Sequence, residues 1–363
     1  MKKINFIYAA LLGIVFYSCQ AYTVVPVDYL VPADISFPAQ IRRVGIVNNA
    51  AGTPGRIAKD AVLDSILVEK TNGYLERYTL NGDPGITVET LAKSVAGENY
   101  FDEVIICDSA LQVSGTSKQT PFLNKETVNA LIESLDVDML ISLEEIQTQV
   151  KRQVFPVTGA GFLGAVDAKV CPKVNLYIAN RDSPLVMING NDSIYWEDFE
   201  PTLIAARTRI VPDEQLITEA SDFAGAIPVK YMTPHWKTTS RIFYNNGSPE
   251  MRDAAFFVQE NHWDRAFALW ETFFEKAKGI KKARTASNIS LYYELKDDLE
   301  KAHEWGKRAL ELARVADKIP EDENTVSPSN DYTRIRYNQN ILEERRSHFA
   351  TLKMQMNRFN DDF

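Results

Sequence analysis

The chain opens on two lysines, Lys2 and Lys3, and then runs almost wholly apolar from Ile4 to Tyr17. That run is about 14 residues long, short of the roughly 20 that a bilayer-spanning helix needs. A basic head, a short apolar centre and a small residue at its end mark a secretory leader. Beyond it the hydrophobic period changes repeatedly. QAYTVVPVDYLVPADISFP, from Gln20 to Pro38, sets spaced prolines among alternating apolar positions, which suits an extended tether or an edge strand better than a helix. Strand-like runs follow at Ile41–Asn49 and Phe101–Asp108, and in VDMLISLEEIQTQVKRQVF, whose second half alternates. Helical spacing covers about Ile57 to Lys70, Thr87 to Val95, and KETVNALIESL behind the capping residue Asn124. Two further strands, around Val170–Ala179 and Leu185–Ile188, lead to NGND, a hairpin-turn signal, and then to SIYWEDF. A helix from Pro212 to about Phe223 precedes IPVKYMTPHWKTTSRIFYNNGSPEM, and from there on only long helical patterns occur.

Strand–helix alternation followed by hairpins predicts a mixed sheet with helices packed on it; the helical remainder predicts a separate layer of helix on helix. The fold class is therefore α+β with two domains: an N-terminal mixed-sheet α/β domain and an all-α stack of helical hairpins. The boundaries read as a signal peptide at 1–18, an extended tether at 19–38, the α/β domain at 39–229, an aromatic linker at 230–248 and the helical domain at 249–359. In its element order the first domain loosely resembles small α/β domains of periplasmic proteins, such as the N-terminal domain of the Tol-system propeller protein.

The helical part repeats itself. AAFFVQENHWDRAFALWETFFEKA aligns with SLYYELKDDLEKAHEWGKRALELA at one offset of 36, matching Ala254 with Ser290, Phe257 with Tyr293, Trp263 with Leu299, Ala266 with Ala302 and Phe273 with Ala309. Small Ala266 and Ala302 let paired helices approach, while Phe257 and Tyr293 fill the space between hairpins. Asn261 and Asp297 are expected as N-caps of the second helices, with Asp264 and Glu300 three residues on. Ser248-Pro249 starts the first pair in a similar way. With this spacing the segment resembles tetratricopeptide units, whose period is about 34. The resemblance implies a concave surface for a protein or peptide. A helix from about Tyr332 to Phe359 closes the stack.

The leader ends in Tyr17-Ser18-Cys19, which resembles the lipobox of bacterial lipoproteins, with Tyr17 where Ala, Ser or Thr is usual. The resemblance implies cleavage between Ser18 and Cys19 and acylation of Cys19 by palmitate-like chains. Two or three such chains, at about 0.8 kcal/mol per buried methylene, anchor a protein almost permanently. The lipobox, PADISFPAQIRRVGIVNN, PHWKTTSRIFYNNG and NHWDRAFALW together resemble an uncharacterised Bacteroidota lipoprotein family filed as a domain of unknown function. That resemblance implies a cell-envelope location. Since CQAYTVV lacks the acidic residues that accompany surface export, it points to the outer membrane facing the periplasm.

Composition fits a globular body, 45% hydrophobic and 25% charged. The formal net charge of −9 becomes −11 once Lys2 and Lys3 leave with the leader, and an acidic body without a basic stripe argues against nucleic acid. Cys107 and Cys171 remain, either as a disulfide in an oxidising envelope or as two inert buried thiols.

Catalytic constellations are thin. Gly159, Gly161 and Gly164 match GxGxxG, but strand character continues behind them, so they are expected to join two strands. His235, His262, His303 and His348 are scattered and no HExxH occurs, so neither a metal nor another cofactor is expected. Glu144 and Glu145 are adjacent, and neighbours on a strand point to opposite faces, which argues against an acid/base pair. His235-Trp236, between Pro234 and Arg241, is the most enzyme-like cluster. Asp64-Ser65-Ile66, Asp108-Ser109-Ala110 and Asp192-Ser193-Ile194 resemble O-glycosylation sites of Bacteroidota. The leading expectation is a lipid-anchored, non-enzymatic envelope protein, bound to the membrane through its N-terminal lipid and to an envelope protein through its repeats. Its rival is an envelope hydrolase or small-ligand enzyme with its site between the domains, near Trp236.

An inhibitor of the type II signal peptidase should leave a heavier precursor, and Cys19→Ala should abolish incorporation of labelled palmitate. An unchanged mass under the inhibitor would refute the lipobox reading.

Overall fold

The computed structural model describes residues 21–57, 73–111, 122–320 and 330–359. Ser18 and Cys19, residues 58–70 of an expected helix and the Asp64-Ser65-Ile66 triplet lie outside them. The described strands are β1 (Tyr22–Val31), β2 (Arg43–Asn48), β3 (Gly55–Arg56), β4 (Tyr74–Asn81), β5 (Glu103–Ala110), β6 (Met139–Val157), β7 (Gly161–Tyr177), β8 (Val186–Asn189), β9 (Asp192–Glu200) and β10 (His235–Tyr244). The described helices are α1 (Pro84–Gly97), α2 (Lys125–Leu135), α3 (Leu203–Thr208), α4 (Asp213–Ala226), α5 (Val229–Met232), α6 (Pro249–Gln259), α7 (Trp263–Lys276), α8 (Gly279–Leu295), α9 (Leu299–Ala316) and α10 (Asp331–Met356). Two units result, a mixed sheet with helices and a helical region, so the α+β reading holds.

The α/β unit comprises Pro32–His235 and the residues from Met354 on. Its eight-stranded sheet is organised by β6. On one edge the first residues of β6 run parallel to β2, Val44 opposite Met139, and the later ones run antiparallel to β4, Asn81 opposite Gln147. The other edge pairs with β7 along nearly its whole length. Around its start β6 is buried on both faces. Met139, Ile141 and Leu143 join the core beneath α1 and α4, while Leu140 packs with Val128 of α2 and Tyr177 on the opposite face. Further along, only one face is covered: Ile146, Val150 and Val154 are buried, whereas Gln147, Gln149, Lys151 and Gln153 are not.

Local chemistry starts and stops these helices. Asp83 accepts hydrogen bonds from the Gly85 and Ile86 amides at the head of α1, with Pro84 in its first turn. Asn124 caps α2 as its sequence suggests, accepting from the Thr127 amide at 2.8 Å. Gly225 of α4 touches α1 so closely that a Cβ would stand 2.6 Å from the Leu91 nitrogen and the Thr87 oxygen.

Several local expectations change. NGND does not turn a hairpin: β8 and β9 both pair with β7, Asn189 opposite Lys173 and Asp192 opposite Val170, as one interrupted edge strand. Gly190 holds the break by donating its amide to the Pro172 carbonyl at 3.1 Å, where a Cβ would meet Ile227 at 2.7 Å. The glycine loop does join two strands, β6 and β7, with Gly159 and Gly161 at φ +79° and +96°.

The helical unit, Trp236–Lys353, also contains β1. Tyr22–Val31, within the stretch 19–38 expected as a tether, and His235–Tyr244, within the stretch 230–248 expected as a linker, thus meet as strands, since β1 pairs with β10. Asn245 donates to the Ala21 carbonyl and Thr238 to Asp28, so the strands run in opposite directions. Val27, Phe243 and Tyr244 sink into a core with Trp270, Phe273 and Phe274. The other edge of β10 is closed by side-chain amides. Asn288 accepts from the Tyr244 amide at 2.9 Å and donates to its carbonyl at 2.7 Å, and Asn338 does the same at Ile242, with the same two distances.

In the helices, Ala254, Ala266 and Ala302 are fully buried, and Ser290 donates to the Ala302 carbonyl at 2.6 Å. Phe257, Tyr293 and Trp263 are partly buried beside this core, and Leu299 is buried. Ser248 caps α6 as expected, but Asn261 and Asp297 are not N-caps. Both take left-handed backbone, φ +58° and +59°, just behind the preceding helix, where short polar side chains are tolerated. His262 and Asp298 occupy the cap positions.

Arg241 of β10 grips Glu294 of α8 through two hydrogen bonds of 3.0 and 2.6 Å, both residues being buried, and Arg345 donates to the Glu294 carbonyl at 3.0 Å. Arg241→Ala should cost about 3–5 kcal/mol in chemical denaturation, because it leaves a buried carboxylate with only the longer 3.5 Å contact to Arg345 among the described residues. Replacing Arg241 and Glu294 together by Met and Leu should recover most of that loss.

Candidate functional site

Where β2 ends and β4 has not yet arrived, β6 lacks a neighbour on that edge. The register with β7 slips at the same point: Leu143 faces Val174 and Glu145 faces Lys173, leaving Glu144 as an extra residue. This β-bulge breaks the alternation that should send Glu144 and Glu145 to opposite faces. Both instead line one cavity of about 450 Å³, together with Asn49, Asn81, Lys173, Asn175 and Asn189. Apolar walls come from Ala50, Ile146, Phe122 and Met187. The location follows the rule for open α/β sheets, in which crevices form beyond the carboxyl ends of parallel strands.

The two carboxylates differ in environment. Asn49 donates to Glu144 at 2.5 Å and Tyr177 donates to it at 3.3 Å. The Tyr177 oxygen in turn accepts from the Leu123 amide at 3.2 Å and from Asn175 at 3.3 Å. Burial pushes the Glu144 carboxyl above its usual range, against the pull of the Asn49 and Tyr177 hydrogen bonds. Glu145 instead pairs with Lys173 and accepts from Gln147 at 2.5 Å. The site thus holds one desolvated carboxyl and one neutralised by a cation, among four amide side chains able both to donate and to accept. That set suits a small polar ligand rich in hydrogen-bonding groups.

A second polar cluster, around Asp213, is saturated. Asp213 accepts from Arg56 at 2.6 Å and Tyr78 at 2.6 Å, while Arg152 donates to the Val211 carbonyl at 2.8 Å. The arginines hold the Asp213 carboxyl below its usual range, and burial pushes the Tyr78 phenol up to about 12. These contacts bind α4 to the sheet. His235 is placed at the start of β10, its ring 3.4 Å from the Thr233 carbonyl, and Trp236 is 72% exposed. Among the described residues no group of three His, Cys, Asp or Glu is arranged to hold a metal. No helix of the described residues is long and apolar enough to cross a membrane. Cys107 and Cys171 are not joined in a disulfide with each other, and both are half-buried.

Sequence alternation alone hides the cavity, but a signal exists. Inward positions are odd-numbered at Met139, Ile141 and Leu143 and even-numbered at Ile146, Val150 and Val154. One extra residue must lie between.

The folded-state pKa of Glu144 is raised, so its ionisation opposes folding: stability is greatest below the unfolded value, near 4.5, and falls as pH rises through the folded one. Glu144→Gln should remove this dependence. The melting temperature of the variant relative to wild type should climb from about pH 4.5 upward and then level off, as measured by thermal scans across pH.

Neither the curated proteins nor the solved structures give a significant match to the chain. Two family models do match: residues 252–344, in the helical unit, fit one described as Domain of unknown function (DUF6340), and residues 41–244 fit one described as Domain of unknown function (DUF8603). The second match takes in β2 to β10, including every strand that lines the cavity, and spans more than half of the sequence. The chain belongs to the DUF8603 family.

Proposed function

We propose that the protein is a lipid-anchored envelope protein that binds ligands without transforming them. Acyl chains on Cys19 hold it to the outer membrane, facing the periplasm. The α/β unit receives a small polar molecule, and the helical unit docks an envelope protein on its tetratricopeptide-like hairpins. One observation carries the ligand-binding part: the 450 Å³ cavity at the bulge, with its one desolvated carboxyl and its ring of amides. The charged groups there are already committed, Glu145 to Lys173 and Glu144 to Asn49 and Tyr177, which suits holding and orienting more than proton transfer. Support for docking comes from the 36-residue offset and from Phe256, 59% exposed on α6. The lipid anchor rests on the basic head, the short apolar run and Cys19.

Native mass spectrometry of protein extracted from its own membranes should find a small-molecule adduct that Asn49→Leu loses. A photo-crosslinker at Phe256 in intact cells should trap an envelope protein. Identical small-molecule spectra for wild type and Asn49→Leu would refute the cavity as the site, and no adduct from Phe256 would refute docking.

A further inference from the structure

Past the bulge, the face of the sheet that carries Gln147, Gln149, Lys151 and Gln153 is not buried among the described residues and is lined by polar side chains. Its register brings three cations together. Arg77 of β4 lies directly opposite Lys151 of β6. Lys169 of β7 stands diagonally from Lys151, since Lys151 faces Asp167 and Lys169 faces Gln149. Side chains directly opposite on antiparallel strands have Cβ atoms about 5 Å apart, and diagonal ones about 7–8 Å. All three cations border one depression of about 390 Å³, with Gln149, Ser193 and Asp167.

This arrangement opposes folding. Like charges directly across a sheet repel, and none of the three side chains has a hydrogen-bond or ion-pair partner among the described residues. Several other cations of the same unit are paired: Arg43 with Glu103 and Asp136, Arg56 with Glu76 and Asp213, Lys173 with Glu145. In a chain of net charge −9 there are acidic residues to spare, yet only one carboxylate reaches this depression. Three cations against Asp167 leave two positive charges to be met from outside. Neutral donors stand between them, Gln149 in line with Lys169 and Ser193.

The geometry points to a binding site for a dianionic phosphate monoester on this face, held by Arg77, Lys151 and Lys169. A tetrahedral group with three acceptor oxygens can meet cations from three strands at once, whereas a carboxylate offers two oxygens and one charge. A phosphate monoester is doubly ionised above its second pKa of about 6. The site is separate from the cavity at Glu144: its lining shares no residue with it. It stands whether or not that cavity binds anything.

Calorimetric titration of the full chain at constant ionic strength, with inorganic phosphate, glycerol 3-phosphate and methyl sulfate as probes, tests the assignment. Saturable binding of the phosphate-bearing probes is expected, weakening as pH falls below about 6 and as salt rises. Arg77→Gln and Lys151→Gln should each weaken it about tenfold or more, as loss of a charge-assisted contact does, while raising the melting temperature of the unliganded protein by relieving repulsion. Lys93→Gln, exposed on α1 and ion-paired with Glu89, should leave binding unchanged. Glycerol 3-phosphate binding more tightly than inorganic phosphate would identify an esterified ligand; equal binding would identify free phosphate. No saturable binding at millimolar phosphate would overturn the proposal. So would equal affinity for monoanionic methyl sulfate, or equal loss from Lys93→Gln.

Discussion

A backbone amide or carbonyl taken from water needs a partner, and β6 has to find partners for more of them than any other strand of the sheet. It is 19 residues long and keeps β7 on one edge, but it changes neighbours on the other, from parallel β2 to antiparallel β4. Two strands of opposite sense cannot run into one another without a gap. The bulge at Glu144 is where the pairing with β7 absorbs that change. The gap then becomes a polar cavity, because a displaced carboxyl must be served by side chains. Asn49 and Tyr177 donate to Glu144, and Asn175 donates to Tyr177. One solution to a pairing problem thus sets the direction of Glu144, its desolvation and the walls around it.

The helical unit meets the same demand by another means. A two-stranded sheet is marginal in water, and β10 has only β1 beside it. Asn288 and Asn338 copy the amide–carbonyl pattern of a missing strand at Tyr244 and Ile242. In the α/β unit Gln355 treats Ala33 in the same way, at 2.9 Å in both directions. Such replacements close an edge that could otherwise recruit another chain. The Arg241–Glu294 pair adds orientation more than net stability, since the desolvation of two charges offsets most of their attraction.

Local features were legible in the sequence, and non-local ones were not. Asn124 and Ser248 announce their helices because capping involves residues within one turn. The 36-residue offset announces a regularity that the structure carries down to matching left-handed residues at Asn261 and Asp297. Those two were misplaced by one position because polar residues suit both the end of one helix and the start of the next. The bulge left its trace in the odd-to-even switch along β6, but Leu140, apolar on account of α2, blurs it. Nothing near Tyr22 or Trp236 shows that they share a unit, since that pairing spans the segment Pro32–His235 of the α/β unit. The cations at 77, 151 and 169 look like ordinary solvent-facing residues until the register sets them side by side.

That β1 belongs with β10 has a consequence for biogenesis. Of the described strands β1 is made first, and it has no partner strand until Pro32–His235 has been made; its supporting helices come later still. In topological terms the segment Pro32–His235 of the α/β unit is an insert, entering after Val31 and leaving before Trp236, and the chain returns to that unit from Met354 on. Insertions succeed where the ends of the guest lie close together, and antiparallel neighbours supply such a doorway. β1 therefore waits, exposed and β-prone, and a chaperone acting on the nascent chain would have this stretch to shield until β10 and the helices behind it have been made.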